Sequence, residues 1–127
     1  MERYLATDGE DGHGWRGAHT LLLTTHGRRS GKPRTLPLIY GEDGDRLLIV
    51  ASMGGAPRHP SWYLNLLADP NVEVQVKGDR FHATAHPAGP EERGRLWGTM
   101  TAIWPDYNTY QTRTDRQIPV VVLERAA

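Results

Sequence analysis

The chain has 127 residues and a mass of 14.2 kDa, a length typical of one domain. Lysine plus arginine and aspartate plus glutamate each number 15, and the resulting net charge of zero argues against a protein held on nucleic acid or anionic lipid by bulk charge. No cysteine is present, which excludes disulfides, iron–sulfur clusters, thiolate metal sites and a cysteine nucleophile.

The first quarter of the chain is predicted to contain one strand between two irregular segments. Residues 1–17 are polar and glycine-rich without an apolar secretion signal, so we expect a flexible lead-in and a cytoplasmic protein. Residues 18–25 are apolar and threonine-rich, which favours a buried strand. Glycine and proline then predict a loop over residues 26–33.

The next segment is expected to form a hairpin followed by a short helix. Residues 34–40 and 46–51 would pair as antiparallel strands around an Asp-Gly turn signal at 43–44. A second glycine-rich loop is expected over residues 52–60. Residues 61–68 are predicted to form a helix that an Asp-Pro pair ends.

Two further strands are predicted by alternation of apolar and polar side chains. Residues 72–77 alternate strictly, which is typical of a half-exposed strand. A turn at Gly78-Asp79 is expected to lead into an antiparallel partner at residues 80–86.

The last third is predicted to hold two helical segments and a final strand. Pro90 begins a helix, and its apolar face is expected to enter the core through Leu96, Trp97, Met100, Ile103 and Trp104. Residues 105–114 suit a short helix or turn, and residues 118–124 a strand. The order βββαββαβ predicts a mainly β fold, a small β-barrel with peripheral helices, in a single domain over residues 1–127. No apolar run is long enough to cross a membrane.

The densest chemical signal is a basic loop at residues 27–34. Four positive charges fall within seven residues, with no acid among them: Arg28, Arg29, Lys32 and Arg34. Ser30 and Gly31 let the backbone turn so that N–H groups can converge on an anion. Phosphate or carboxylate is the natural ligand, and a solvated basic loop is the alternative.

Three other groups of residues carry some feature of a binding site. Residues 52–55 place two glycines at a strand end, which permits close approach of a ligand or makes a simple turn. Aromatic residues recur every three positions and suit either a flat ligand or the core: Trp104, Tyr107 and Tyr110. His82 and His86 lack a third ligand in register, so no metal site is expected. The basic loop with these aromatics could also bind single-stranded nucleic acid, but the aromatics are few.

Several segments together resemble, in unbroken order, the deazaflavin-dependent nitroreductase family. They are YLATDGEDGHGW, LLLTTHGRRSGKPRTLPLIY, ASMGG, SWYLNLLADPNVEVQ and WPDYNTYQTRTDRQIPVVVLE. The resemblance runs from about Tyr4 to Glu124. It implies an FMN-binding-like split β-barrel that binds reduced coenzyme F420, an 8-hydroxy-5-deazaflavin with an oligoglutamate tail.

The same resemblance implies where the coenzyme would lie. The phosphate and tail would contact the basic loop at Arg28, Arg29, Ser30, Gly31 and Arg34. The deazaflavin would run along Thr35, Leu36, Pro37, Leu38 and Ile39. The remaining wall would comprise Val50, Ala51, Ser52, Met53, Ser61, Trp62, Tyr63, Leu64 and Asn65. Tyr107 would contact the coenzyme, with Trp104 and Tyr110 on the acceptor side.

Members of the family transfer a hydride to quinones, nitro compounds and other activated acceptors. Tyr107 is the first candidate here for the proton donor and Ser52 the second. A non-catalytic carrier of a deazaflavin or flavin is the alternative. We expect a monomer or weak dimer that binds no nucleic acid, with at most peripheral contact with the inner face of the membrane.

Two departures from the family pattern bear on these expectations. Met53 stands where the family often has lysine, which would remove one contact with the tail or phosphate. Trp104 and Ile39 replace a tyrosine and an aromatic residue near the acceptor, so acceptor preference is the property least safely transferred.

Overall fold

A computed structural model describes residues 14–15 and 18–126 of the chain. The strands are β1 (Gly14–Trp15), β2 (Ala18–His26), β3 (Pro33–Ile39), β4 (Gly41–Asp43), β5 (Arg46–Val50), β6 (Asn71–Val76), β7 (Asp79–Pro87) and β8 (Val120–Arg125). The helices are α1 (Ser61–Ala68), α2 (Pro90–Ile103) and α3 (Asp106–Thr112), with a 3-10 turn at Met53–Gly55. The expected flexible lead-in lies mostly outside the described residues.

The described strands form one antiparallel sheet that curls into an incomplete barrel. Its order is β1-β2-β6-β7-β8-β5-β4. Strand β3 also pairs with β2, on the edge opposite β6. The terminal strands β3 and β4 are joined by Tyr40 alone, whose N–H donates to the carbonyl of His19 at 3.0 Å. This connection brings the two ends of the sheet together, and the predicted small barrel with peripheral helices is confirmed.

Two apolar clusters lie on opposite faces of the sheet. The barrel core fills the inside and includes Leu21, Leu23, Ile49, Val72, Val74 and Leu123, with Trp62 and Leu66 of α1 packed against them. The outer core joins the sheet to α2 and α3 through Leu48, Val50, Val122, Leu96, Met100 and Tyr107. Both faces of β5 are therefore buried, which explains its unbroken apolar run.

The predicted hairpin between residues 34–40 and 46–51 is wrong. β3 pairs instead with β2, from Thr20 opposite Ile39 to His26 opposite Pro33. The turn signal does make a hairpin, but only β4 supplies the partner of β5, with Asp43 opposite Arg46. Gly44 takes a positive φ of 62° in this tight turn. The residues before Tyr40 belong to β3, which pairs with β2, so they do not extend this hairpin.

The second hairpin turns one residue earlier than predicted. Val76 pairs with Asp79, so Lys77 and Gly78 form the turn and Asp79 already belongs to β7. Lys77 adopts a positive φ of 54°. The alternation that predicted these strands is confirmed, since Ala83 and Ala85 face the barrel core.

The helices follow the sequence signals closely. α1 covers the predicted residues, and α2 begins at Pro90 with two glutamates in its first turn, where the helix dipole favours negative charge. Within the described part of the chain, no helix is long and apolar enough to cross a membrane.

Candidate active site

An apolar groove lies between β3 and the segment that follows β5. Its volume is about 430 Å³, within the range of small-molecule sites. It is lined by Leu36, Pro37, Leu38, Ile39, Val50, Ser52, Met53, Pro60, Trp62, Trp104, Tyr107 and Tyr110. Both cores contribute to its walls, because Leu36 and Trp62 belong to the barrel core and Val50 and Tyr107 to the outer core.

A basic cleft continues from the apolar groove. It has a volume of about 450 Å³ and is lined by Gly27, Arg28, Arg29, Ser30, Arg34, Thr35, Leu36, Ser61, Trp62 and Asn65. Leu36 and Trp62 line both cavities. The two cavities are therefore neighbours, one apolar and one cationic.

The arginines of the basic cleft have different surroundings. Asn65 accepts hydrogen bonds at its Oδ1 from the Arg28 backbone N–H (3.2 Å) and from Arg28 Nη1 (2.9 Å). Asn65 Nδ2 in turn donates to the buried Thr25 hydroxyl at 3.3 Å. Arg28 thus fixes the basic loop to α1, whereas Arg29 and Arg34 are exposed and form no ion pair within the described residues.

The basic loop closes on itself between β2 and β3. The Gly27 N–H donates to the Lys32 carbonyl at 2.8 Å, and the Gly31 N–H donates to the Gly27 carbonyl at 2.7 Å. Gly31 has a φ of +72°, which suits glycine at this turn. The Ser30 hydroxyl accepts the Lys32 N–H at 3.2 Å, so it already helps to shape the loop.

Trp104, Tyr107 and Tyr110, here called the aromatic wall, form part of the lining of the apolar groove. Tyr107 is 5% exposed and Trp104 7%, while Tyr110 is half-buried. The rings of Tyr107 and Tyr110 meet edge to face at 6.1 Å, and Trp104 Nε1 donates to the Tyr110 hydroxyl at 3.5 Å. These aromatic residues therefore belong to the outer core and also line the groove, so both interpretations of them are correct.

The hydroxyl of Tyr107 has no hydrogen-bond partner among the described residues. Burial, with a smaller contribution from the neighbouring Tyr110 phenol, raises the pKa of Tyr107 well above its ordinary value. The phenol is consequently held in its protonated form, which can donate to an oxygen placed in the groove.

Four of the residues predicted to contact the coenzyme lie outside the linings of both cavities. Gly31 shapes the basic loop, and Ala51 and Tyr63 are buried in the barrel core. Leu64 packs partly against the same core. The other predicted residues line the apolar groove, the basic cleft or both.

Sequence reasoning missed Arg116 and His59, which contact each other next to the segment after β5 that lines the groove. Arg116 donates to three backbone carbonyls of the segment after β5 and contacts the His59 ring. No local signal distinguishes Arg116, because it stands in a polar stretch about sixty residues from its partners in sequence. Among the described residues, no group of three side chains could hold a metal ion.

Comparison with known proteins gives a consistent result. A family model described as F420H(2)-dependent quinone reductase matches residues 1–125. An F420H(2)-dependent quinone reductase of Mycobacterium tuberculosis is 48% identical over 126 residues, which cover 96% of this chain and 85% of the relative.

Solved structures agree with this result. A structure described as an F420-H2-dependent reductase superposes with a TM-score of 0.76 at 43% identity, covering 83% of this chain and 93% of its own. A chain described as a domain-swapped dimer superposes with a TM-score of 0.79 at 40% identity, covering 97% and 92%. From the family model, these relatives and the split barrel that it shares with them, the chain belongs to the F420H(2)-dependent quinone reductase family.

Proposed function

We propose that this protein is an enzyme that transfers a hydride from reduced coenzyme F420 to a quinone. One observation carries the proposal: the basic cleft and the apolar groove lie side by side and share Leu36 and Trp62 in their linings. A ligand with a polyanionic tail and a planar ring matches such a site end to end. The family match supplies the same coenzyme independently.

At the cationic end, Arg29 and Arg34 would bind the phosphate and the glutamates of the tail. Both guanidinium groups are exposed and form no ion pair with another described residue, so no salt bridge to the described part of the chain has to break when an anion binds. Guanidinium groups contact phosphate and carboxylate in bidentate geometry. Arg28 would act indirectly, because its bonds with Asn65 keep the loop in place.

At the apolar end, β3 and the residues after β5 would hold the flat ring of the coenzyme. The bound reduced deazaflavin supplies the hydride. Leu36, Leu38 and Trp62 contribute apolar surface and exclude water from the groove. The acceptor would lie between this surface and the aromatic wall formed by Trp104, Tyr107 and Tyr110.

Tyr107 would donate its phenolic proton to the acceptor oxygen that gains negative charge. Its hydroxyl is free of internal partners in the described part of the chain, and its raised pKa keeps the proton in place before transfer. The Ser52 hydroxyl, which also lines the groove, is the second candidate donor.

Acceptors other than quinones, such as nitro compounds, are proposed for the same groove. Trp104 and Ile39 line this groove and would set the preference among acceptors. We propose a cytoplasmic monomer or weak dimer, with membrane contact at most peripheral; one related structure is described as a domain-swapped dimer.

The proposal is tested by converting Arg29 and Arg34 together to alanine. We expect the double variant to bind F420 at least about tenfold more weakly, because two charge-assisted contacts are lost. Its affinity for 8-hydroxy-5-deazariboflavin, which lacks phosphate and glutamates, should not change. Fluorescence titration measures both affinities, and Arg58→Ala, which removes an exposed arginine outside both cavities, is the matched control.

Turnover is measured by following the oxidation of F420H2 with menadione as acceptor. Wild-type protein that binds F420 without oxidising the reduced form would be a carrier rather than an enzyme. Wild-type protein that binds no deazaflavin would contradict both readings of the site. Equal affinity of the double variant and wild type for F420 would contradict only the tail-binding role of the two arginines.

A further inference from the structure

One side chain holds the segment after β5 that lines the apolar groove. Arg116 donates from Nη1 to the Ala51 carbonyl at 3.1 Å, from Nη2 to the Ser52 carbonyl at 2.7 Å, and from Nε to the Ala56 carbonyl at 2.9 Å. Nη1 also contacts Nδ1 of His59 at 3.0 Å. Four of the five N–H donors of this guanidinium are thus used on one short segment.

Arg116 is itself fixed to the helix that carries the aromatic wall. Gln111 of α3 donates from Nε2 to the Arg116 carbonyl at 2.7 Å and accepts the Ile118 N–H at 2.9 Å. A backbone bond from the Ala51 N–H to the Pro119 carbonyl at 3.0 Å adds a second link. Arg116 therefore connects the segment after β5 to α3, and both contribute residues to the lining of the apolar groove.

The segment that Arg116 holds has a strained backbone. Met53 has a φ of +48°, a conformation that is costly for a residue with a side chain. Gly55 has a φ of +86°, and a Cβ there would lie 2.5 Å from the Tyr110 carbonyl oxygen. Such a conformation persists only where surrounding contacts determine it. The bonds from Arg116 to Ser52 and Ala56, on either side of this turn, are among those contacts, together with the bond from the Gly55 N–H to the Ser52 carbonyl at 2.9 Å.

The contact with His59 requires a neutral imidazole. Since an arginine nitrogen can only donate, Nδ1 of His59 must accept, and its proton must reside on Nε2. The ring packs against Tyr63 of α1 at 4.8 Å. Tyr63 and Arg116 are the titratable and charged groups that face the ring among the described residues, while Arg58, its chain neighbour, is exposed.

We propose that Arg116 and His59 form a positioning clamp that sets Ser52 and Met53 against the coenzyme, and that protonation of His59 loosens this clamp. The inference rests on the proposed function for the identity of the ligand. Protonation would place an N–H against an N–H and two cations in contact. Burial and the nearby Arg116 lower the pKa of His59, so the clamp is intact near neutral pH and weakens as the pH falls through that lowered pKa.

Two variants separate the clamp from general stability. Arg116→Lys keeps the charge but cannot reach several acceptors at once, and we expect F420 affinity to fall about tenfold or more. His59→Asn retains an acceptor near the position of Nδ1 without titrating. We expect it to bind F420 like wild type at pH 8 and to lose less affinity than wild type at pH 5.5.

Fluorescence titration from pH 5.5 to pH 8 provides the comparison. The coenzyme's own titration is common to both proteins, so the difference between their profiles reports on His59. Arg58→Lys is the matched control, and thermal unfolding shows which variants are folded. Wild-type affinity in Arg116→Lys, or superimposable pH profiles for wild type and His59→Asn, would overturn the proposal.

A measurement without coenzyme keeps this test apart from that of the proposed function. Nitrogen-15 NMR of the free protein should show His59 as the Nε2–H tautomer near neutral pH, with the amide signals of Ser52 and Gly55 shifting as it titrates. The opposite tautomer, or amides that do not respond, would refute the clamp. Failure of wild-type protein to bind F420 would instead refute the proposed function and leave the NMR result to decide the clamp as a structural element.

Discussion

At the scale of single residues, Tyr107 combines burial with an unpaired hydroxyl in the described structure. We predict that Tyr107→Phe lowers kcat with menadione by about 10²-fold, a typical loss for one proton donor. F420 affinity should stay within about twofold, because the ring and its packing remain. Steady-state kinetics and fluorescence titration test this, and unchanged kcat would transfer the donor role to Ser52.

The pH dependence of the same residue follows from its raised pKa. A phenol whose pKa is raised stays protonated further into the alkaline range. Its contribution to kcat should therefore persist through pH 10, where an ordinary tyrosine is half ionised. A loss of kcat with a midpoint near pH 9, present in wild type and absent from Tyr107→Phe, would contradict the assignment.

The sequence could predict the arginine cluster but not the distinct role of each arginine. Composition alone placed four cations in one loop, whereas the bonds between Arg28 and Asn65 join residues 37 positions apart. The contacts of Arg116 are harder still to predict from the sequence. Its acceptors lie 57 to 65 positions away and are mainly backbone carbonyls. A carbonyl has no residue-specific signature, so such a contact is visible only in the fold.

At the scale of elements, the 3-10 turn after β5 is tightly packed against α3. We predict that Gly55→Ala destabilises the protein by about 1–3 kcal/mol, because alanine resists the positive φ and its Cβ meets backbone. Gly98→Ala is the matched control: it lies in α2 with open space around it and should stabilise by up to about 1 kcal/mol. Urea unfolding distinguishes the two, and equal effects would contradict the packing argument.

A second element-scale feature is the group of ion pairs that joins the β4–β5 hairpin to α2. Arg46 bonds to Asp43 and, at 3.1 Å, to Glu92, while Arg95 reaches Asp43 at 2.7 Å. Hydrogen bonds from Arg95 and then Arg46 lower the pKa of Asp43 from 3.8 to about 2. The stability that Asp43 contributes is therefore complete above pH 3.8 and is lost as pH falls toward 2.

The change Asp43→Asn should abolish this acid-dependent part of stability. We expect the variant to have a lower Tm than wild type at pH 7 and a smaller difference from it at pH 2. Asp79→Asn, which breaks one exposed pair with Arg125, serves as the control and should change Tm little. A constant Tm difference between Asp43→Asn and wild type across that range would exclude the linkage.

Element types were more predictable than strand pairing. Residues 61–68 form the predicted helix, because its apolar residues and its terminating Asp-Pro pair are local signals. The sequence predicted that β3 pairs with β5, whereas it pairs with β2. An Asp-Gly turn marks the position of a hairpin but not the length of its strands. The sequence pattern did not predict β4, the three-residue strand that pairs with β5.

At the scale of the whole molecule, a neutral net charge coexists with a cationic cleft. We predict that raising salt from 0.05 to 0.5 M weakens F420 binding several-fold, because exposed charges are screened over shorter distances. Binding of 8-hydroxy-5-deazariboflavin should respond much less. Titrations at three salt concentrations test this, and equal salt dependence of the two ligands would show that the cleft does not act on the tail.

The barrel was predictable from the order of elements, but the site was not predictable from the barrel. Antiparallel strands with few helices indicated the fold, and the resemblance placed the coenzyme along β3 and after β5. The apolar groove itself arises because the inner and outer cores meet at Leu36, Trp62, Val50 and Tyr107. Such a meeting of distant segments depends on how the sheet curls, which no local pattern encodes.

Among the described strands, the outer edge of β3 has no partner, and this has a further consequence for the behaviour of the protein in concentrated solution. Pro33 and Pro37 lie opposite His26 and Leu22, and since proline cannot donate to β2, both must stand at the positions whose backbone groups face outward. Two of the N–H groups that another chain would need for strand addition are thereby missing. The two prolines therefore disfavour strand addition, and with it aggregation, at the edge that lines the groove.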